Sequence, residues 1–185
     1  MNSYRIKIAG LERELPLCKI SDDMYIGAFI MFGDVEITKA AASELLKIAP
    51  EHDIMITAES KGIPLLYEMA RQAGENNYIV ARKAKKLYMK DVVYTEVDSI
   101  TTENVQRLCI GQTEIDAIRG KRVLIVDDVI STGESLAALE TLVKQVGGTV
   151  VGRMAVLAEG DAIDREDIKY LAPLPLFSKD GTPIK

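Results

Sequence analysis

Two adjacent acids, Asp127 and Asp128, follow the apolar run Val123-Leu124-Ile125-Val126, and the hydroxyl-rich turn Ser131-Thr132-Gly133-Glu134-Ser135 comes shortly after them. Backbone N–H groups at a helix start carry partial positive charge, Gly133 permits close backbone approach, and three hydroxyls add donors. The turn can therefore hold a phosphate monoester with no lysine of its own. The two carboxylates would repel that phosphate. They suit the hydroxyls of an attached ribose, or Mg²⁺, a hard cation that takes oxygen ligands and usually arrives with a phosphate. A second charged cluster is basic: Arg82, Lys83, Lys85, Lys86 and Lys90 fall in one short stretch of an otherwise acidic chain, which reads as a local anion site.

The elements that must position these groups follow from periodicity. Val123 to Val126 is apolar on both faces, as a strand inside a covered parallel sheet must be. It delivers the acids to its carboxyl end, where open α/β sheets bind ligands. A helix over Leu136 to Val146 follows, closed by Gly147-Gly148, and then a strand over Thr149 to Leu157. Upstream, a strand over Ile54 to Ala58 leads through Glu59-Ser60-Lys61-Gly62 into a helix from Pro64 to Ala73, with proline in the first turn and Gly74 past the end. Thr38 is the expected cap of an earlier helix carrying Ala41, Leu45 and Ile48, and a strand is expected over Asn77 to Ala81. Tyr4 to Ile8 and Leu15 to Ile20 flank Ala9-Gly10 and predict an N-terminal hairpin, while Val92 to Val97 and Val105 to Ile110 predict a hairpin flap. Alternating strands and helices imply an α/β fold with a parallel sheet. Paired acids after an apolar strand also occur in response-regulator receiver domains. There they open the domain, whereas here too little chain follows Asp127 for the further strand–helix units.

Length and composition bound the alternatives. The 185 residues favour one domain, and 48% hydrophobic with 28% charged residues is the balance of a folded globular protein. A formal net charge of −5 gives no general attraction to nucleic acid or an anionic membrane. No secretory h-region opens the chain and no run reaches the ~20 apolar residues of a membrane span, so a cytoplasmic protein is expected. Cys18 and Cys109 lie far apart and read as two buried thiols in a reducing compartment. His52 is the single histidine, which sets aside Ser-His-Asp catalysis and zinc sites built on His or Cys.

The thirteen residues VLIVDDVISTGES resemble the binding motif of the type I phosphoribosyltransferases for phosphoribosyl pyrophosphate (PRPP), and the likeness extends over most of the chain, nearest to the adenine and xanthine branch. The resemblance implies a parallel-sheet type I phosphoribosyltransferase fold with a small N-terminal β hood, in one domain: hood about 1–37, core about 38–185, flap about 83–110. It implies that Asp127 and Asp128 hold the ribose 2- and 3-hydroxyls and that Ser131, Thr132, Gly133, Glu134 and Ser135 hold the 5-phosphate. Ser60, Lys61 and Gly62 match the pyrophosphate loop, with Lys61 where arginine is usual, and a non-proline cis peptide between Glu59 and Ser60 is expected. Arg82, Lys83 and Lys86 resemble the basic strand end that reaches pyrophosphate, and Ala172 to Phe177 resembles the closing segment of adenine enzymes. Met31, Phe32, Val129, Ile130 and Glu159 are the implied base contacts.

The implied reaction joins a purine, adenine first, to PRPP with Mg²⁺, using Asp127, Asp128, Lys61 and Arg82 and releasing pyrophosphate; relatives commonly work as homodimers. Two departures bear on the base. Val97 to Thr102 looks like the xanthine enzymes rather than the adenine pattern with its loop glutamate, which leaves Glu96 or Asp98 as candidates for taking the base proton. Gly160, however, stands where xanthine enzymes tend to carry lysine. The alternatives are a 6-oxopurine (xanthine or hypoxanthine) phosphoribosyltransferase and a non-catalytic PRPP sensor.

Overall fold

The computed structural model describes residues 3–95 and 107–184. Eleven strands and four helices lie among them: β1 (Ser3–Ile8), β2 (Leu11–Lys19), β3 (Tyr25–Gly27), α1 (Val35–Ile48), β4 (Ile54–Ala58), α2 (Ile63–Ala73), β5 (Ile79–Ala81), β6 (Val93–Tyr94), β7 (Cys109–Ile110), α3 (Gln112–Ile118), β8 (Arg122–Ile130), α4 (Glu134–Gln145), β9 (Thr149–Glu159), β10 (Lys169–Leu174) and β11 (Leu176–Phe177). The central sheet has the order β10-β9-β8-β4-β5, every pair parallel.

β8 explains why its sequence is apolar throughout. Leu124 and Val126 join the cluster beneath α1, α2 and the N-terminal strands, while Val123 and Ile125 join the cluster beneath α3 and α4. Successive side chains of a strand point to opposite faces, so a strand covered on both sides has no polar position to spare. The acids appear only toward the carboxyl end of β8, where Asp127 is partly exposed while Asp128 stays buried. A second, antiparallel sheet, β1-β2-β3-β11, takes its last strand from the other end of the chain, with Leu176 opposite Ile26 and Phe177 opposite Tyr25.

The boundaries differ from expectation in places with physical causes. Asp34, not Thr38, caps α1: its carboxylate accepts the Ile37 N–H at 3.0 Å, and Arg13 of β2 holds it at 2.7 Å. Thr38 lies inside the helix, donating its hydroxyl to the Asp34 carbonyl at 2.7 Å. α4 starts at Glu134 because Gly133, at φ +82°, ends the turn just before it. Cys18 is exposed and only Cys109 is buried; with Leu15 facing the core, the pleat of β2 sends its even-numbered neighbours outward. The paired strands β6 and β7 form the base of the expected flap hairpin, and residues 96–106 beyond that base lie outside the described residues.

Candidate functional site

Three strands deliver chemistry to one end of the sheet. β8 ends in Asp127 and Asp128, β4 runs into Glu59-Ser60-Lys61-Gly62, and β5 runs into Arg82 and Lys83. Glu59 ties the last two together. Its N–H donates to the Ala81 carbonyl at 2.8 Å, and its carboxylate accepts the Lys83 N–H at 3.0 Å and lies 3.4 Å from Arg82 Nη1 and 3.9 Å from Lys86 Nζ. The Lys83 N–H, with the two nearby cations, holds the Glu59 carboxyl below the usual carboxylate range. The Glu59–Ser60 peptide is cis, as the resemblance implies.

Between these elements lies a cleft of about 430 Å³, lined by Ser60, Lys61, Lys83, Asp127, Asp128 and Ser131 among others. Its size suits a small charged ligand. A smaller cup opens beside it, walled by Val129, Ile130 and the whole of Ser131 to Ser135, at the N-terminus of α4. The paired acids, the hydroxyl-rich turn and the cationic loops thus border one cleft.

Asp128 is only 2% exposed. Lys61 Nζ lies 3.2 Å from its Oδ2, but off the hydrogen-bonding direction, so this buried oxygen has a charge partner and no hydrogen bond. Asp127 Oδ1 accepts the Asp128 N–H at 2.9 Å. Burial first, and the neighbouring Asp128 charge second, push the Asp127 carboxyl up to about 8.

A stability prediction follows. A carboxyl whose folded value is raised binds its proton more tightly in the folded state, so ligand-free stability falls as pH rises from about 4, the ordinary carboxyl value, to about 8. Asp127→Asn removes that loss. Ligand-free Asp127→Asn should melt several degrees above the parent at pH 8, a chain of this size shifting by roughly 2–4 °C per kcal/mol, and match it at pH 4. Equal melting temperatures at both pH values would refute the raised proton affinity of Asp127.

Other expected contacts divide. Met31 is 1% exposed, packed in the core and lining a separate groove between α1 and α2, while Phe32 is half exposed and outside the cleft lining. Glu159, at the end of β9, is held above the ordinary glutamate range by burial, against the opposing charge of Lys61. Glu96, Asp98 and the Val97 to Thr102 segment lie outside the described residues.

Sequence reasoning missed Thr57. Its hydroxyl is fully buried, without a hydrogen bond, and sits directly under Gly62, where a β-carbon would approach within 2.2 Å. Its signal was available, as the single polar residue in Ile54-Met55-Ile56-Thr57-Ala58.

A parallel α/β sheet that presents paired acids, a hydroxyl-rich turn at a helix start and a cationic rim at its carboxyl end is the arrangement expected of a protein that binds a phosphorylated sugar. Comparison with known proteins narrows this. The family described as phosphoribosyl transferase domain matches residues 34–172. An adenine phosphoribosyltransferase of Bifidobacterium longum is 36% identical over 139 residues, covering 73% of this chain and 68% of that protein. A xanthine phosphoribosyltransferase of Bacillus thuringiensis is 31% identical over 122 residues, covering 64% of this chain and 60% of that one. The structure of an adenine phosphoribosyltransferase from Rhodothermus marinus superposes with a TM-score of 0.63 at 23% identity, covering 93% of this chain and 94% of that one. The chain belongs to the phosphoribosyltransferase family, a family of pentosyltransferases.

Proposed function

We propose that this protein transfers the phosphoribosyl group of PRPP to adenine, giving AMP and pyrophosphate. The observation that carries the reading is the single cleft joining the anion turn, the two acids and the lysine-bearing loop, because PRPP carries a 5-phosphate, a diol and a pyrophosphate in that order. A base nitrogen forms its bond to the anomeric carbon while the bond from that carbon to the pyrophosphate oxygen breaks, and the base loses a proton. Positive charge develops on the sugar and negative charge on the leaving group. Asp127 and Asp128 orient the ribose through its hydroxyls; Ser131 to Ser135 hold the 5-phosphate; Lys61, Arg82, Lys83 and Lys86 stabilise the departing pyrophosphate, with Ser60 and Gly62 offering backbone N–H groups.

Magnesium fits this donor set in a limited way. Among the described residues no group of three or more His, Cys, Asp or Glu side chains could hold a metal. Two carboxylates, one with a buried oxygen lacking a hydrogen bond, suit a cation shared with substrate oxygens. When bound, Mg²⁺ would supply charge neutralisation at the pyrophosphate.

Adenine is favoured by Glu159 and Gly160. A carboxylate at the end of β9 accepts from the 6-amino group of adenine, and Gly160 offers no cation for a 6-carbonyl. Val129, which borders both the cleft and the cup, supplies apolar surface for the ring. One further feature belongs to the same reading: a homodimer covers the exposed Leu87 and Tyr88, which follow the basic strand end. No helix among the described residues is long and apolar enough to cross a membrane, which agrees with a cytoplasmic enzyme.

Pyrophosphate release from PRPP, measured with adenine, xanthine, hypoxanthine and guanine, tests the reading. A site built for an amino donor leaves buried groups unpaired with the wrong base, so kcat/KM for adenine should exceed the others by about tenfold or more. An oxopurine preference overturns the choice of base, and PRPP binding without turnover on any base overturns the enzyme.

A further inference from the structure

The cup formed by Ser131 to Ser135 has a charge deficit. Residues 127 to 135 contain Asp127, Asp128 and Glu134 and no lysine or arginine. A helix N-terminus supplies roughly half a positive charge, whereas a phosphate monoester near neutral pH carries about −1.5 to −2. One more cation is needed close to the turn.

Arg165 stands there, brought from far along the chain by the short 3₁₀ turn Gly160–Asp164 that follows β9. A β-carbon on Gly133 would lie 2.6 Å from Arg165 Nη1 and 3.9 Å from its Cζ, so the guanidinium rests against the bare face of the turn. Its other two nitrogens are committed. Nε and Nη2 donate to the two oxygens of Asp167 at 2.9 and 2.7 Å, a bidentate grip that fixes the plane of the group. Asp167 also lies 3.8 Å from Arg153 Nε, and Arg153 pairs with Glu140 of α4, so the grip is anchored to the helix whose first turn makes the cup. The guanidinium is thus held in place before any ligand arrives, with Nη1 turned to Gly133.

We propose that Arg165 is the cation of the phosphate turn, a positioning residue that makes the turn able to hold a dianionic 5-phosphate despite three neighbouring acids. The proposal rests on the reading of Ser131 to Ser135 as the 5-phosphate site. It also explains why position 133 has no side chain, beyond its positive φ: a β-carbon would displace the guanidinium.

Calorimetric titration of the full chain with ribose 5-phosphate, ribose and inorganic pyrophosphate tests it, on the parent protein, Arg165→Gln and Arg165→Lys. Arg165→Gln should weaken ribose 5-phosphate by about tenfold or more, leave pyrophosphate unchanged, and be largely rescued by Arg165→Lys, which keeps the charge. If Arg165→Gln binds ribose 5-phosphate as the parent does, the proposal is overturned and the reading of the turn stands. If the parent binds ribose 5-phosphate no more tightly than ribose, both fall together. Parallel losses for ribose 5-phosphate and pyrophosphate, unrescued by lysine and accompanied by a lower melting temperature, would make Arg165 a structural tie only and equally overturn the proposal.

Discussion

Asp128→Asn is expected to lower kcat/KM for PRPP by about tenfold to a hundredfold without lowering the melting temperature. The carboxylate is almost fully buried at the strand end and keeps one oxygen without a hydrogen bond, so it is set to accept from a ligand hydroxyl. A hydrogen bond to a charged group contributes roughly 1.5–3 kcal/mol, and 1.4 kcal/mol is one decade. Stability should not suffer. The substitution keeps the shape and removes a buried charge whose one cationic partner, Lys61, is itself half exposed and poorly aligned. Steady-state kinetics and circular dichroism of the same preparation decide the matter, and unchanged kinetics would remove Asp128 from the ribose site.

Gly62→Ala should cost more than its small size suggests. Gly62 has φ −72°, open to any residue, so the penalty is steric rather than conformational. The new β-carbon would meet Thr57 Oγ1 at 2.2 Å and Asp127 Oδ1 at 3.2 Å, and the fully buried Thr57 has nowhere to move. The loop carrying Lys61 must shift instead. Overpacking of this kind costs about 1–3 kcal/mol, and displacing a pyrophosphate contact by even an ångström can reduce turnover by about a hundredfold. Thr57→Ala in the same chain removes the hydroxyl and should restore part of both losses. A Gly62→Ala protein with parent kinetics and stability would refute the clash.

The parts of this protein that local pattern could reveal are those in which one stretch of chain carries its own instructions. VLIVDDVISTGES holds strand, acids, turn and helix start together, and the structure assembles them in that order. Tertiary contacts decided the remainder. Asp34 prevailed over Thr38 as the cap of α1 because Arg13, on a distant strand, grips its carboxylate. β11 is two residues long, too short for periodicity, and exists because β3 offers it an edge. Met31, expected to contact the base, instead joins the core cluster that the N-terminal strands share with α1. Arg165 lies in no motif at all; only the missing side chain of Gly133 records its presence.

The contact between Lys61 and Asp128 has an implication for substrate choice. Each neutralises the other, although one is assigned to the pyrophosphate end of the proposed substrate and the other to its ribose. A ligand bringing only an anion draws Lys61 away and leaves a buried carboxylate bare; one bringing only a diol competes with the lysine for the same oxygen. An intact molecule satisfies both at once. Fragments should therefore bind measurably but far less tightly than the intact molecule, so that free pyrophosphate and pentose phosphates compete poorly with a substrate in which the two are covalently joined.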